Sequence, residues 1–329
     1  MYISNTIETG WIAVIVVNYG TAELAINAVQ TVLDHSHGGR MVRVFLVDNA
    51  SPGDDAKTLT DVHERRAWGK RVTLFLETEN HGFGRGNNVV LRALAEMDDK
   101  PDKVLLLNPD AALHNEAIDF LAKALDKEES VVAVGAAVLR DDMSPATAAF
   151  RFPSWRSEFA RILAFGPIDR LVAKHIVALP PDHPAGSVDW VTGAAVMFRF
   201  DALVRVNFFD PGFFLYYEEV DLMRRLRKAG GDILYVPTAQ VLHAEGAATG
   251  QFASAQARQR DPSYLYQSWR YYFERSFGRI GALCIAATLW PAAALNILHR
   301  RMRGKSPSVP LFFFRDHWTH VIGPLVRKR

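Results

Sequence analysis

The feature that most constrains this chain is a short aliphatic run that stops abruptly on a polar turn. The clearest example is Val104-Leu105-Leu106-Leu107, followed by Asn108-Pro109-Asp110. Four consecutive aliphatics leave no face for solvent, so the run reads as a strand buried on both sides, and Pro109 cannot continue a central ladder. Asp110 therefore stands at the carboxyl end of a buried strand, the edge at which open α/β sheets bind ligands. Taken alone, Asn-Pro-Asp is ordinary turn chemistry ahead of a helix.

The pattern recurs. Trp11 to Val17 ends on Asn18-Tyr19-Gly20, and Val42 to Val47 ends on Asp48-Asn49-Ala50-Ser51-Pro52-Gly53. Val72 to Leu76 is a third strand, followed by a glycine-rich loop, Asn80-His81-Gly82-Phe83-Gly84-Arg85-Gly86-Asn87-Asn88. Between the runs, Thr21 to Leu33, Val89 to Met97 and Glu116 to Leu125 carry apolar residues at helical spacing. Alternating strands and helices with polar strand exits predict an α/β fold with a mostly parallel sheet covered on both faces. Further strands are expected at Val131 to Leu139, Ala194 to Phe200, Ile233 to Val236 and Val241 to His243, while the prolines between Asp141 and Pro184 predict loops and short helices.

Phe213-Phe214-Leu215-Tyr216-Tyr217 leads to Glu218-Glu219-Val220-Asp221 and then to a helix with Arg224, Arg225, Arg227 and Lys228 near its end. Acid at the start and base at the end suit the helix dipole, so this cluster has a purely structural explanation as well as a chemical one. Together the strand exits and loops offer Asp48, Asp110, the Glu218-Glu219-Asp221 group and His243 to one sheet edge. Hard oxygen ligands with one imidazole suit Mn²⁺ or Mg²⁺ better than structural zinc. The glycines at 82, 84 and 86 would let backbone approach an accompanying diphosphate. Their spacing and their place after the third strand do not fit a dinucleotide-binding redox enzyme.

With 329 residues the chain can bury a sizeable core, and a net charge of +2 gives no reason to expect nucleic acid as a partner. A single cysteine, Cys284, excludes an intramolecular disulfide and a multi-cysteine zinc site, which points to a cytosolic setting. The last seventy residues differ in character. Ile280 to Leu298 contains no Asp, Glu, Lys or Arg, and Arg300, Arg301, Arg303 and Lys305 follow it. Apolar segments flanked by basic ones read as attachment to an anionic membrane face, or as a helical unit packing on the main domain or on a second copy. The expected division is a nucleotide-binding domain over 1–255 and a C-terminal helical, apolar and basic region over 256–329.

The ordered set Val-Val-Asn-Tyr-Gly (16–20), Val-Asp-Asn-Ala-Ser (47–51), the loop at 80–88, Leu-Asn-Pro-Asp (107–110), Phe-Phe-Leu-Tyr-Tyr-Glu-Glu-Val-Asp-Leu (213–222) and His243 resembles glycosyltransferase family 2. The likeness covers roughly residues 11 to 250 and is greatest to bacterial rhamnosyltransferase-like and galactofuranosyltransferase-like members. It implies a GT-A fold and an inverting transfer of one sugar from a nucleotide-diphosphate donor, with dTDP-rhamnose as one candidate, to a lipid-linked or polysaccharide acceptor in cell-envelope glycan synthesis. It further implies a peripheral enzyme on the cytoplasmic face of the inner membrane, with homo-oligomerisation open.

By the same resemblance Asp110 and His243 would hold Mn²⁺ or Mg²⁺, with Asn108 where the family often has a first acid. Asp48, assisted by Asn18, would hold the base or ribose, and Asn80, Gly82, Gly84, Arg85 and Asn88 would line the nucleotide sugar. Glu219 falls at the catalytic base, usually an aspartate of a Glu-Asp pair. Trp190, Thr192, Gly193, Glu218 and Asp221 would line the sugar and acceptor pocket, with Trp190 equally open to a core role and Asp221 to capping its helix. Two other readings use the same residues: a metal-dependent nucleotide-sugar hydrolase, and a non-catalytic sugar-nucleotide-binding module at a membrane.

Overall fold

The computed structural model describes residues 10–243 and 260–327, so the expected boundary between 255 and 256 lies outside the described residues. The strands β1 (Ile12–Asn18), β2 (Val42–Asp48), β3 (Val72–Leu76) and β4 (Lys103–Leu107) form a parallel sheet in the order β3-β2-β1-β4. Helices α1 (Ala22–Asp34), α2 (Asp55–Arg65) and α3 (Gly82–Glu96) make the crossovers. Asn18 lies directly opposite Asp48, and Val16 opposite Leu107, so the strand exits share one edge. All seven residues of β1 are buried, as expected of a strand covered on both faces.

The chain continues through β5 (Ala111–Leu113), α4 (Ala117–Lys127), β6 (Val131–Leu139), β7 (Pro145–Ala146) and β8 (Ala149–Phe150). Then follow α5 (Trp155–Leu163), α6 (Gly166–Leu171), β9 (Gly186–Ser187), β10 (Trp190–Val191), β11 (Ala195–Arg199), α7 (Phe200–Arg205), α8 (Glu218–Lys228) and β12 (Asp232–His243). The sheet extends as β4-β11-β6-β12-β5, with β11 antiparallel to both neighbours and β6 parallel to β12. β12 is one twelve-residue strand where two short ones were expected; a register shift between Val236 and Gln240 accounts for the apparent break in the sequence. Its end pairs antiparallel with β5, setting His243 opposite Ala111. The mostly parallel α/β sheet is as the sequence predicts.

One expected loop is a helix. α3 begins at Gly82, several residues before the apolar spacing signals it, because the 80–88 segment is short of helix formers and its first turn is fixed by tertiary contacts instead. Gly82 has φ +72°, and a Cβ there would fall 1.8 Å from the carbonyl oxygen of Phe214. Only glycine permits that approach.

The C-terminal helices are α9 (Ser263–Met302), α10 (Phe313–His317) and α11 (Gly323–Val326). α9 is broken at Gly278, whose φ of +73° and ψ of 166° are not helical. These helices share a second hydrophobic core with α5 and with Phe213 and Val220, whose neighbours Glu218 and Glu219 open α8. The first core surrounds the sheet, and Trp190 packs between the two.

Candidate active site

The exits of β1 and β2 form one buried polar knot. The Asn18 amide nitrogen lies 2.9 Å from Asp48 Oδ1, 3.1 Å from Ser51 Oγ and 3.0 Å from Asp55 Oδ2, while its oxygen accepts from the Thr21 backbone N–H at 3.1 Å. Asn18 is 0% exposed and Asp48 2%, and the Asn18 side chain fixes the Asp48 carboxylate. Asp48 also accepts from Ser51 Oγ at 2.6 Å. Asp55, which the sequence reading passed over, accepts from the Ala22 N–H at 3.0 Å and so fixes the start of α1.

The glycine-rich segment, expected as a loop, forms the start of α3. Asn80 Oδ1 accepts from the Gly82 N–H at 2.8 Å and from the Asn49 amide at 3.1 Å, which turns the chain into α3. Beyond Gly82 against Phe214, a Cβ on Gly84 would lie 3.1 Å from Phe209 Cβ, and one on Gly86 would lie 3.0 Å from Val17 Cγ1. Protein atoms thus cover the glycine faces. Asn88 is likewise engaged: it is 4% exposed, donates to the Phe209 carbonyl at 2.8 Å and accepts from the Phe209 N–H at 3.1 Å. Arg85 Nε donates to the His81 carbonyl at 2.8 Å. Gly82, Gly84 and Asn88 thus dock on the 209–214 segment, while Asn80, Arg85 and Gly86 meet Asn49, His81 and Val17.

At the exit of β4, Asp110 Oδ1 lies 3.0 Å from His243 Nε2, and the Asn108 amide approaches the same nitrogen at 3.5 Å. The β5–β12 pairing imposes this meeting, because it sets Ala111 against His243. Among the described residues no cluster of three or more His, Cys, Asp or Glu side chains could hold a metal ion. At this edge the described residues offer one carboxylate and one imidazole. That donor pair fits a divalent cation that takes oxygens from a bound diphosphate, and does not fit a closed structural site.

Glu218 and Glu219 open α8 immediately after Tyr216 and Tyr217, whose φ values of +68° and +70° are left-handed. Two successive non-glycine residues in that region cost free energy and persist where the surroundings impose them. Glu218 is 3% exposed, and neither its Oε2 nor that of Glu219 has a hydrogen-bond partner among the described residues. Burial, reinforced by the adjacent Glu219, pushes the Glu218 carboxyl well above the ordinary glutamate range, and burial raises Glu219 as well. Asp221, expected to orient an acceptor or cap the helix, pairs with Arg225 at 2.7 Å and with Arg275 of α9 at 3.3 Å.

One short segment links the two acidic groups. The Val191 N–H meets Met223 Sδ of α8 at 3.2 Å, and the Ala194 carbonyl accepts from the Asn108 N–H at 2.9 Å. Thr192 and Gly193 span the gap between them, with Thr192 half-buried and a Cβ on Gly193 placed 3.3 Å from the Phe83 ring. Trp190 stacks on Phe150 with centroids 4.0 Å apart and donates to the Arg151 carbonyl at 2.9 Å. Its role in packing is therefore realised.

The sequence profile described as Glycosyltransferase like family 2 matches residues 9–261. Over 243 residues the chain is 29% identical to the N-acetylglucosaminyl-diphospho-decaprenol L-rhamnosyltransferase of Mycobacterium tuberculosis, covering 70% of this chain and 76% of that protein. It is 29% identical over 170 residues to Rhamnosyltransferase WbbL of Escherichia coli, covering 50% of this chain and 61% of that one. Among solved structures, GalNAc-T7 with UDP, GalNAc and Mn²⁺ superposes with a TM-score of 0.59 at 13% identity, covering 95% of this chain and 58% of the other. The mannosyltransferase PcManGT from Pyrobaculum calidifontis, in complex with GDP-Man and Mn²⁺, gives 0.52 at 17% identity, covering 90% and 76%. At those identities the likeness shows a shared fold.

Proposed function

The chain belongs to the Glycosyltransferase like family 2, and from that premise we propose that it moves one sugar from a nucleotide-diphosphate donor to an acceptor hydroxyl with inversion. The acceptor is a lipid-linked or polysaccharide glycan of the cell envelope, and rhamnose is the sugar that two of its relatives' names support. The observation that carries the reading is the adjacent pair of carboxyls at the start of α8, Glu218 buried and Glu219 half-buried, each with an Oε2 that has no hydrogen-bond partner among the described residues. Burying such groups without partners costs several kcal/mol in general, and an active site is where that cost is retained.

In this mechanism Glu219, the more accessible of the pair, takes the proton from the acceptor hydroxyl as that oxygen bonds to the anomeric carbon. The bond from that carbon to the diphosphate oxygen breaks, and the nucleoside diphosphate leaves with the electron pair. Glu218, whose carboxyl burial and its neighbour push well above the ordinary glutamate range, donates a hydrogen bond to a sugar hydroxyl in its protonated form. Asp48, fixed by Asn18 and Ser51, accepts from the nucleoside. Mn²⁺ or Mg²⁺ held by Asp110 and His243 would neutralise charge on the departing diphosphate.

The C-terminal region attaches the enzyme to a membrane without crossing it, in this proposal on the cytoplasmic face of the inner membrane. α9 is long and apolar enough to span, but Ala282, Ala286, Leu289 and Ala293 are buried in the second core. The opposite face, running through Ile280, Cys284, Ala287, Pro291, Leu295, Leu298 and Met302, is exposed. Arg300, Arg301, Arg303 and Lys305 follow it, so an apolar stripe ends in a basic cluster suited to an anionic lipid surface.

The proposal is tested by incubating the protein with a panel of nucleotide-diphosphate sugars and Mn²⁺, reading thermal stabilisation, and assigning the anomeric configuration of the product formed on a prenyl-diphosphate saccharide. One donor should stabilise the protein and yield an inverted glycoside. Stabilisation by no donor, or release of free sugar at the same rate with and without acceptor, would overturn it.

A further inference from the structure

Beside the second core, between α5, α9 and α10, lies a cavity of about 190 Å³. Arg161, Tyr217, Asp261, Tyr266, Trp269 and His317 line it. Tyr217 immediately precedes Glu218, so the cavity adjoins the start of α8, although most of its lining comes from the C-terminal helices.

Two of its buried side chains each have one polar atom with no hydrogen-bond partner among the described residues. His317 is 2% exposed, and its Nδ1 accepts from the Trp290 indole N–H at 3.1 Å. Burial, with Arg161 nearby, keeps the ring neutral by lowering its pKa to about 4. A neutral imidazole that accepts at Nδ1 carries its proton on Nε2. That Nε2 has no partner among the described residues, and neither has the hydroxyl of Tyr266, which is 6% exposed. Buried donors are almost always satisfied, and two unsatisfied ones in one cavity mark a place where a ligand completes the bonding.

Charge selects among ligands. Arg161 is already paired with Glu158 at 2.8 Å, and Trp269 donates to the same carboxylate oxygen at 2.9 Å. Asp261 adds a further acid to the wall, so the cavity holds no surplus positive charge for a phosphate. What remains is a pair of donors, a carboxylate acceptor and the aromatic faces of Tyr217, Tyr266 and Trp269. Hydroxyls around a ring with apolar C–H faces match that set.

We infer that this cavity receives one uncharged saccharide unit of the acceptor, with Tyr266 O–H and His317 Nε2–H donating to its hydroxyls and Asp261 accepting from one. The inference rests on the glycosyltransferase reading for the word acceptor, but saccharide binding can be measured without turnover.

The test uses saturation-transfer NMR on the full chain with the methyl glycosides of N-acetylglucosamine, galactose and rhamnose, and inorganic pyrophosphate as the anionic competitor. Tyr266→Phe removes only the unpartnered hydroxyl, and His317→Asn keeps an acceptor for Trp290 while deleting the Nε2 donor. At least one glycoside should bind, each variant should weaken it up to about tenfold, the worth of one hydrogen bond, and pyrophosphate should not displace it. Thermal stabilisation by the nucleotide sugar with Mn²⁺, read in parallel, should be unchanged in both variants. Binding of no glycoside, equal binding by wild type and both variants, or displacement by pyrophosphate overturns the inference. Loss of donor stabilisation in the wild type indicts the glycosyltransferase reading instead.

Discussion

Asp221 accepts a hydrogen bond from Arg275 Nε at 3.3 Å, which ties the helix that opens with Glu218 and Glu219 to the C-terminal helix α9. The same carboxylate pairs with Arg225 at 2.7 Å, and Arg275 also reaches Asp210 at 3.0 Å. The C-terminal region is thereby part of what positions the glutamates. Asp221→Asn should leave Arg225 without its anion, while Arg275 keeps Asp210, and cost ~1.5–3 kcal/mol, the worth of a hydrogen bond to a charged group, measured by chemical denaturation. Activity should fall through misplacement of α8, with a raised acceptor KM. Unchanged stability would show that the pair carries no structural weight.

Glu219 should set the acidic limb of the pH–rate profile. A base works when deprotonated, and burial raises this carboxyl above 4.5, so kcat should begin to rise at a higher pH than an ordinary glutamate would allow. Glu219→Gln should lower kcat by roughly 10²- to 10⁴-fold with little change in donor KM. A variant with wild-type kcat would move the proton acceptor elsewhere.

Glu218 makes the complementary statement about stability. Its folded-state pKa lies above the unfolded value, so the native chain binds more protons, and stability must fall as pH rises from the unfolded value through the folded one. Glu218→Gln removes that titration. The variant's melting temperature should drop less between pH 4 and pH 8 than that of the wild type, and parallel curves would contradict the assignment.

Much of this site was legible in the chain because the strand exits are local. Runs of aliphatics fixed where β1, β2 and β4 end, and those ends carry Asn18, Asp48 and Asp110. The meeting of Asp110 with His243 was expected from the resemblance, and the β5–β12 pairing supplies its physical cause. What the chain did not show was contact between distant partners: Phe209 and Phe214 against Asn88 and the glycines, and Arg275 against Asp221. Residues so far apart in sequence carry no local signal of their contact. The unpartnered Tyr266 and His317 were equally hidden, since an aromatic residue on an apolar helix face reads as core.

Asp110 should be needed for metal-linked donor binding. Asp110→Asn keeps size and removes the charge, so the Mn²⁺-dependent thermal stabilisation by nucleotide sugar should be lost. In the wild type that stabilisation amounts to about 2.7 kcal/mol at a hundredfold excess over Kd. Unliganded stability should change little, and His243→Ala should act in the same direction. Undiminished Mn²⁺ dependence in both variants would remove the metal from this edge.

The exposed stripe on α9 should govern membrane attachment. Ile280 is 79% exposed and Leu298 57%, on a face that contributes nothing to the second core, so Ile280→Glu and Leu298→Glu can be made without disturbing the fold. Each forfeits an apolar side chain worth ~1.5–3 kcal/mol when fully buried and places an acid against anionic headgroups. Co-sedimentation with vesicles containing anionic lipid should therefore drop at least about tenfold for either variant. The basic cluster at 300–305 adds ~1 kcal/mol per charge near the surface, screened by salt, so wild-type binding should weaken as ionic strength rises and be poor on neutral vesicles. A stripe that instead joined two copies of the chain would give salt-insensitive dimers in which both substitutions yield monomers and vesicle binding is unaffected.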